Sequence, residues 1–253
     1  MINDFLKAQK PKNLEEFGYY LAGLLDADGY ISKESYISIT FHERELSVAY
    51  YIKKVIDDGS ITKNKNSRSY RYRCCRKKTV TKIGHLILNK LRSPTRITQF
   101  NERLAPKINS QPTKPDTSPL KGSHWLAGFI QGDGSFQIEI NKRVKQDHNT
   151  QIMVVIKISQ KKDLLLQQIK EMFGGVIYYY KPQDYYFYTS SSITNAGKFL
   201  NYLDEYQVIG SSFKIYTLWR QACLHVQKKK HLTESGKCSI SNFKKSMSKL
   251  KIN

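Results

Sequence analysis

Asp28 and Asp133 each stand before a glycine at the end of a short apolar run, and the two runs are nearly the same. The first reads Leu21-Ala22-Gly23-Leu24-Leu25-Asp26-Ala27-Asp28-Gly29, the second Leu126-Ala127-Gly128-Phe129-Ile130-Gln131-Gly132-Asp133-Gly134. Asp-Gly is a common turn dipeptide, so one copy alone would mark only a turn. Two copies in matched contexts point to internal duplication. A carboxylate at the C-terminal end of a helix faces the negative end of the helix dipole. An acid placed there twice, against helix stability, calls for compensation, and a divalent cation shared by Asp28 and Asp133 would supply it. Mg²⁺ suits a site of few carboxylates completed by water and substrate phosphates. Asp26 has no acidic counterpart, since Gln131 takes its place. It is read as a local hydrogen-bonding residue.

Ala22 and Gly23, like Ala127 and Gly128, strip side-chain bulk from the run, so two such helices could approach backbone to backbone. After each run the hydrophobic period changes. In the second half Phe136, Ile138 and Ile140, then Ile152, Val154, Ile156 and Ile158, alternate with more polar neighbours as strands do. Residues 164–173 then read as a helix closed by Gly174-Gly175, residues 176–180 and 185–188 as a second hairpin, and 195–206 as a further helix. The first half repeats this order: helix to Asp28, strands at 30–31 and 36–41, helix 45–56, strands 60–62 and 70–74, helix 80–91. The fold class is therefore α+β, with one four-stranded antiparallel sheet expected per half.

The chain has 253 residues and a net charge of +21, shared almost evenly between its halves. An even excess means that both halves face the same polyanion, nucleic acid before membrane surface. No apolar run is long enough to span a bilayer. The amino-terminal residues have neither a secretory nor a transit pattern, and the four cysteines form no C-x-x-C pair, which points to free thiols. Cys223, His225, His231 and Cys238 fit no standard zinc spacing. Four prolines between 106 and 119 mark a linker. The division read from the sequence is thus 1–105, a first repeat; 106–123, a Pro-rich linker; and 124–253, a second repeat ending in lysine-rich helices whose charge runs read as a solvated face.

The paired runs resemble the signature of the LAGLIDADG homing endonuclease family in its single-chain, two-repeat form, and the element order resembles that family over most of the chain. The resemblance implies two pseudo-symmetric αββαββα repeats in a monomer. Each repeat has a four-stranded sheet with helices on one face, and the motif helices pack at the centre. It implies a site-specific endonuclease that cuts both strands of a long DNA target across the minor groove and leaves short 3′ overhangs. Asp28 and Asp133 are then metal ligands, joined by the carbonyls of Ala27 and Gly132, with Mg²⁺ as the cofactor and Ca²⁺ or Mn²⁺ as substitutes. The mechanism implied is two-metal hydrolysis. The family's outer active-site positions fall on Gln160 and, in the first half, His42; its basic positions fall on Arg96 and, in the second half, near Ser212 and Lys214.

A two-stranded ribbon can enter the major groove, where base edges are distinguishable. Residues directed away from the cores are the candidate readers: Ser32, Arg71 and Arg73 with Lys63 and Lys65 near a hairpin tip, then Ser135, Gln137, Glu139, Asn141, Arg143, Tyr179 and Lys181. The remaining tyrosines are read mostly as strand formers. The alternatives are an RNA maturase that assists splicing of an intron, with intron RNA as partner, and a regulator that keeps the fold without cleavage. Abundant Lys, Asn, Ile and Tyr, together with the family likeness, suggest an organelle intron in a mitochondrion or chloroplast.

Overall fold

The computed structural model describes residues 6–142, 150–190 and 192–252. Helix α1 (Leu14–Asp28) is capped by Asn13, whose side chain accepts from the Glu16 amide at 2.9 Å, while Glu15 and Glu16 occupy the favourable first turn. It runs straight into β1 (Gly29–Ile31) with no intervening turn. Gly29 has an ordinary φ, so its role is spatial: a Cβ there would come within 2.6 Å of the Leu25 Cα and 2.7 Å of the Leu25 oxygen.

The strands β1, β2 (Ile37–His42), β3 (Ser60–Lys63) and β4 (Ser69–Cys74) form an antiparallel sheet in the order β1-β2-β4-β3. Helices α2 (Leu46–Ile56) and α3 (Lys77–Ile87) complete the repeat, followed by α4 (Pro94–Gln99). The second sheet has the same order, β5-β6-β8-β7, from β5 (Gly134–Lys142), β6 (Thr150–Gln160), β7 (Val176–Tyr180) and β8 (Tyr185–Thr189). Its repeat begins with α5 (Trp125–Asp133) and includes α6 (Leu164–Phe173) and α7 (Ile193–Glu205); α8 (Gly210–Gln227) and α9 (Glu234–Ile252) follow. Two sheets with one order are what a duplicated αββαββα sequence dictates. None of the described helices is long and apolar enough to cross a membrane.

The alternation read from the sequence sets the cores. Ile37, Ile39, Phe41, Tyr72 and Cys74 are buried on one face of the first sheet, and Phe136, Ile138, Val154, Ile156, Ile158 and Tyr188 on one face of the second. Two compact units result, one of Gln9–Asp133 with Tyr206–Ser211, the other chiefly of Gly134–Glu205 and Ser212–Asn253. Helix α5 therefore belongs, by packing, with the first sheet's unit, because it lies along α1.

The proline-rich segment is tied down rather than free. Arg92 pairs with Asp116 at 2.7 Å, both side chains nearly buried, and Thr113 accepts from the Asn89 amide and donates its own amide to Asn101, each at 2.7 Å. Proline removes amide donors, and several of the segment's remaining polar groups find partners on the first repeat, while others, such as the Ser118 amide on Asp116, are satisfied within the segment.

Candidate active site

Helices α1 and α5 meet backbone to backbone, and the contact is reciprocal. A Cβ on Gly23 would overlap the carbonyl of Trp125 and lie 2.9 Å from the Phe129 nitrogen; one on Gly128 would overlap the carbonyl of Tyr20 and lie 2.9 Å from the Leu24 nitrogen. Each glycine thus sees the matching residues of the opposite motif, as a local two-fold requires. Nearer the helix ends the symmetry must break. A Cβ on Gly132 would stand 2.6 Å from the Ala27 Cβ, so only one of these two matched positions can carry a methyl.

That same construction fixes the site. The point where a Gly132 Cβ would sit is 3.0 Å from the Asp28 Oδ2, so the Asp28 carboxylate lies against the backbone that immediately precedes Asp133. Both acids end their helices, at Asp28 of α1 and Asp133 of α5, and neither helix has a basic residue in its last turn. Desolvation raises the pKa of Asp28 although the residue keeps an exposed surface, and Arg96 opposes that shift. Arg96 donates through Nε to the Leu25 carbonyl at 2.7 Å and through a terminal nitrogen to Gln99 Oε1 at 3.1 Å. Burial lowers its own pKa, and the charges of Asp26, Asp28 and Asp133 work against that. One guanidinium therefore serves the end of α1 and the field of three carboxylates.

Asp26 and Gln131 occupy matched positions and do matched work. Trp125 Nε1 donates to Asp26 Oδ2 at 2.9 Å; the Tyr20 hydroxyl donates to Gln131 Oε1 at 3.2 Å. Each also accepts a backbone amide, Arg92 on Asp26 at 2.7 Å and Ile209 on Gln131 at 2.8 Å. Gln131 further donates to Glu45 at 2.9 Å. Burial raises the Asp26 pKa to about 7, against the lowering effect of its Arg92 and Trp125 hydrogen bonds. Asp26 is thus a hydrogen-bonded residue of the seam between the two helices.

The other candidates divide. His42 is one residue out of step with Gln160. Gly29 pairs with Ile39 and Gly134 with Ile158, so the position of the first sheet equivalent to Gln160 is Phe41, which is buried. His42 lies on the opposite strand face, exposed, where its Nδ1 accepts the Arg44 amide at 3.3 Å; desolvation and the Arg44 and Arg68 charges lower its pKa. A period of two makes a one-residue offset a change of face. Gln160 ends β6, and Ser212 and an exposed Lys214 lie in the first turns of α8. Among the described residues no three His, Cys, Asp or Glu side chains are grouped as metal ligands.

On the first sheet the outer face carries Thr40, Arg71 and Thr62 in one row and Ser38, Arg73 and Ser60 in the next. Arg71 and Arg73 are exposed as expected, the latter with its guanidinium 3.7 Å over the Tyr36 ring. Lys63 and Lys65 are exposed near the β3–β4 tip. Ser32 is not on that face. Strand β1 is so short that Ser32 falls in the following turn, fully buried, accepting the Tyr36 amide at 3.2 Å. On the second sheet Ser135, Gln137, Glu139 and Asn141 do share the outer face, with Glu139 paired to Lys157 at 3.1 Å. Lys181 is exposed in the turn after β7. Tyr179 is on the wrong face: it opposes Tyr186, in the row of Gln160, and its hydroxyl donates to Asp184 at 2.8 Å. Arg143 lies outside the described residues. The alternation that places Arg71 also picks out Thr40 and Thr62, and in the second sheet Lys157, Tyr178 and Tyr180, which the sequence reading passed over.

Residues 126–223 match the family model described as LAGLIDADG endonuclease. A Schizosaccharomyces pombe protein described as an uncharacterized cox1 intron-2 37.2 kDa protein is 39% identical over 245 residues, covering 94% of this chain and 74% of that protein. The intron-encoded RNA maturase bI4 of Saccharomyces cerevisiae is 27% identical over 165 residues, covering 64% of this chain and 25% of the relative. Among solved structures, I-SmaMI bound to uncleaved DNA target in the presence of calcium ions superposes with a TM-score of 0.70 at 23% identity, covering 91% of this chain and 98% of that one. At that identity the likeness is one of fold.

Proposed function

Because this chain belongs to the LAGLIDADG endonuclease family, we propose that it is a site-specific double-strand DNA endonuclease of the homing type, active as a monomer on a long asymmetric target. One observation carries this reading: the Asp28 carboxylate stands against the backbone of Gly132, beside Asp133, at the joined ends of α1 and α5. A binder of phosphates has no use for two acids directed at an anion.

The donor set fits a hard divalent cation. Two carboxylates at helix C-termini, together with the carbonyls of Ala27 and Gly132, offer oxygen ligands only, which suits Mg²⁺ and admits Ca²⁺ or Mn²⁺. The desolvation that raises the Asp28 pKa is the burden a cation would relieve. When bound, divalent cations lower the pKa of attacking water and stabilise the leaving 3′ oxygen. The chain's own residues do the rest. Asp28 and Asp133 must be ionised to act. Arg96 holds the Leu25 carbonyl and so fixes the last turn of α1 that aims Asp28. Gln160 and Lys214 are the outer residues of the second repeat in this proposal. Arg71, Arg73, Gln137 and Asn141 read base edges, and Lys63, Lys65 and Lys181 contact phosphates.

Maturase activity is the second reading, favoured by the bI4 likeness. The cox1 intron relative supports an intron origin and, with it, an organelle location. The test uses a plasmid carrying the intron-free insertion sequence. Cutting with Mg²⁺ that stops in chelator, with ends mapping to short 3′ overhangs, is the expected result. Acceleration of intron splicing with no cutting of the plasmid would replace the endonuclease reading with the maturase one.

A further inference from the structure

The outer faces of the two sheets differ in chemistry. The first presents hydroxyls and guanidinium groups. The second, along β7 and β8, presents aromatic rings: Tyr178 opposes Phe187 and Tyr180 opposes Tyr185, all on the face away from Tyr188 and the core. Tyr178 stacks on Phe187 with centroids 5.2 Å apart, Tyr180 and Tyr185 lie 5.3 Å apart, and Tyr185 meets Phe187 at 6.2 Å, so the four rings form one continuous patch. Tyr178 is 49% exposed and Tyr180 42%. β-Propensity explains tyrosine in a strand but not the choice of four rings for the solvent side, where Thr, Lys or Gln serve as well. A contiguous apolar patch left open on a folded surface marks a contact.

The charge around the patch selects the occupant. Beside the patch Lys181 stands exposed at the end of β7, and Asp184, in the turn to β8, accepts the Tyr179 hydroxyl at 2.8 Å; farther along the sheet the one outer-face carboxylate of β5, Glu139, pairs with Lys157. The chain as a whole carries +21. A polyanion is admitted there, and the basic charge shared by both halves of the chain matches the phosphates of a long duplex. Duplex DNA offers a ribbon in its major groove only one apolar group, the C5 methyl of thymine. Rings that cannot make the bidentate hydrogen bonds of Arg or Gln can still discriminate by covering that methyl.

We propose that Tyr178, Tyr180, Tyr185 and Phe187 read thymine methyl groups, so that the half-site facing the second sheet is thymine-rich, whereas Arg71 and Arg73 of the first sheet read guanine. This rests on the endonuclease reading and adds the base composition of the target. Burying one methyl corresponds to roughly fourfold in affinity.

The test measures binding of the full chain, in Ca²⁺, to its duplex target and to targets in which thymine is replaced by deoxyuridine, which removes the methyl and keeps every hydrogen bond. Deoxyuridine in the half-site of the second repeat should weaken binding by about fourfold per contacted position. The same change in the other half-site should have little effect. In the Tyr178→Ala/Tyr180→Ala variant, thymine and deoxyuridine targets should bind alike; Tyr180→Phe should keep the preference. Equal wild-type affinity for both targets overturns the proposal and needs no variant, while leaving the endonuclease reading intact if the plasmid is still cut. Retained duplex binding with loss of binding to uridine-containing single-stranded RNA in the alanine variant would also overturn it. No binding to any duplex sinks both readings.

Discussion

Replacing Gly23 or Gly128 with alanine sets two effects against each other, and their sum has a definite sign. Mid-helix glycine is less favourable than alanine by about 1 kcal/mol, so propensity alone makes either change stabilising. The geometry says otherwise. The added methyl would overlap a carbonyl oxygen of the facing helix and come within 2.9 Å of a backbone nitrogen. Backbone cannot rotate aside as a side chain can, so α1 and α5 must separate along their contact. Overpacking of this kind costs about 3 kcal/mol, at the upper end of the usual range. The net expectation is a loss of about 2 kcal/mol, or roughly 4–8 °C in Tm for a chain of this size. One separation relieves both clashes, so the double variant should lose less than the sum of the singles. Gly122→Ala, where nothing lies within 4 Å, is the control and should change stability by less than about 0.5 kcal/mol. Urea unfolding monitored by circular dichroism reads the four variants against the parent. A Gly23→Ala variant as stable as the parent, or more so, would refute the backbone-to-backbone seam.

Two further expectations follow from the charges at that seam. Asp26 has its pKa raised to about 7 when folded, against 3.8 for an ordinary aspartate. Between those values the folded state binds the proton and the unfolded state does not, so stability should fall as pH rises from about 4 to 7 and level off above. The full difference corresponds to about 4 kcal/mol at about 1.4 kcal/mol per unit. Asp26→Asn should flatten that slope in chelator; an unchanged slope would show that other groups cause it. Arg96 lowers the pKa of Asp28, so Arg96→Met should move the acidic limb of the cleavage pH profile to higher pH. A loss of rate without that move would mean that Arg96 acts only through the Leu25 carbonyl.

Much of this molecule was written in alternation and repetition. The period of two after Gly134 gave β5 and β6 and their buried residues, and the paired motifs gave the acids and the small residues of the seam. What escaped was set by register and by short elements. The equivalence of His42 and Gln160 failed by a single residue, because the count along the chain does not reveal that Gly29 pairs with Ile39 while Gly134 pairs with Ile158. Ser32 was lost to a turn because β1 ends at Ile31. Tyr179 and Tyr178 are chemically alike, and only pairing across the hairpin decides which one faces outward. Asp26 and Gln131 look like a broken match in sequence. In space both accept a donor from the aromatic residue of the opposite helix, and that equivalence could not be read without the helix contact.

The most direct test compares the wild-type chain with Asp28→Asn and Asp133→Asn on an end-labelled duplex containing the target, in Mg²⁺, with binding measured in parallel. Each substitution should lower the cleavage rate by at least about a hundredfold while affinity and melting temperature stay close to wild type. Cleavage at an undiminished rate by either variant would contradict the claim that one carboxylate from each motif performs the chemistry.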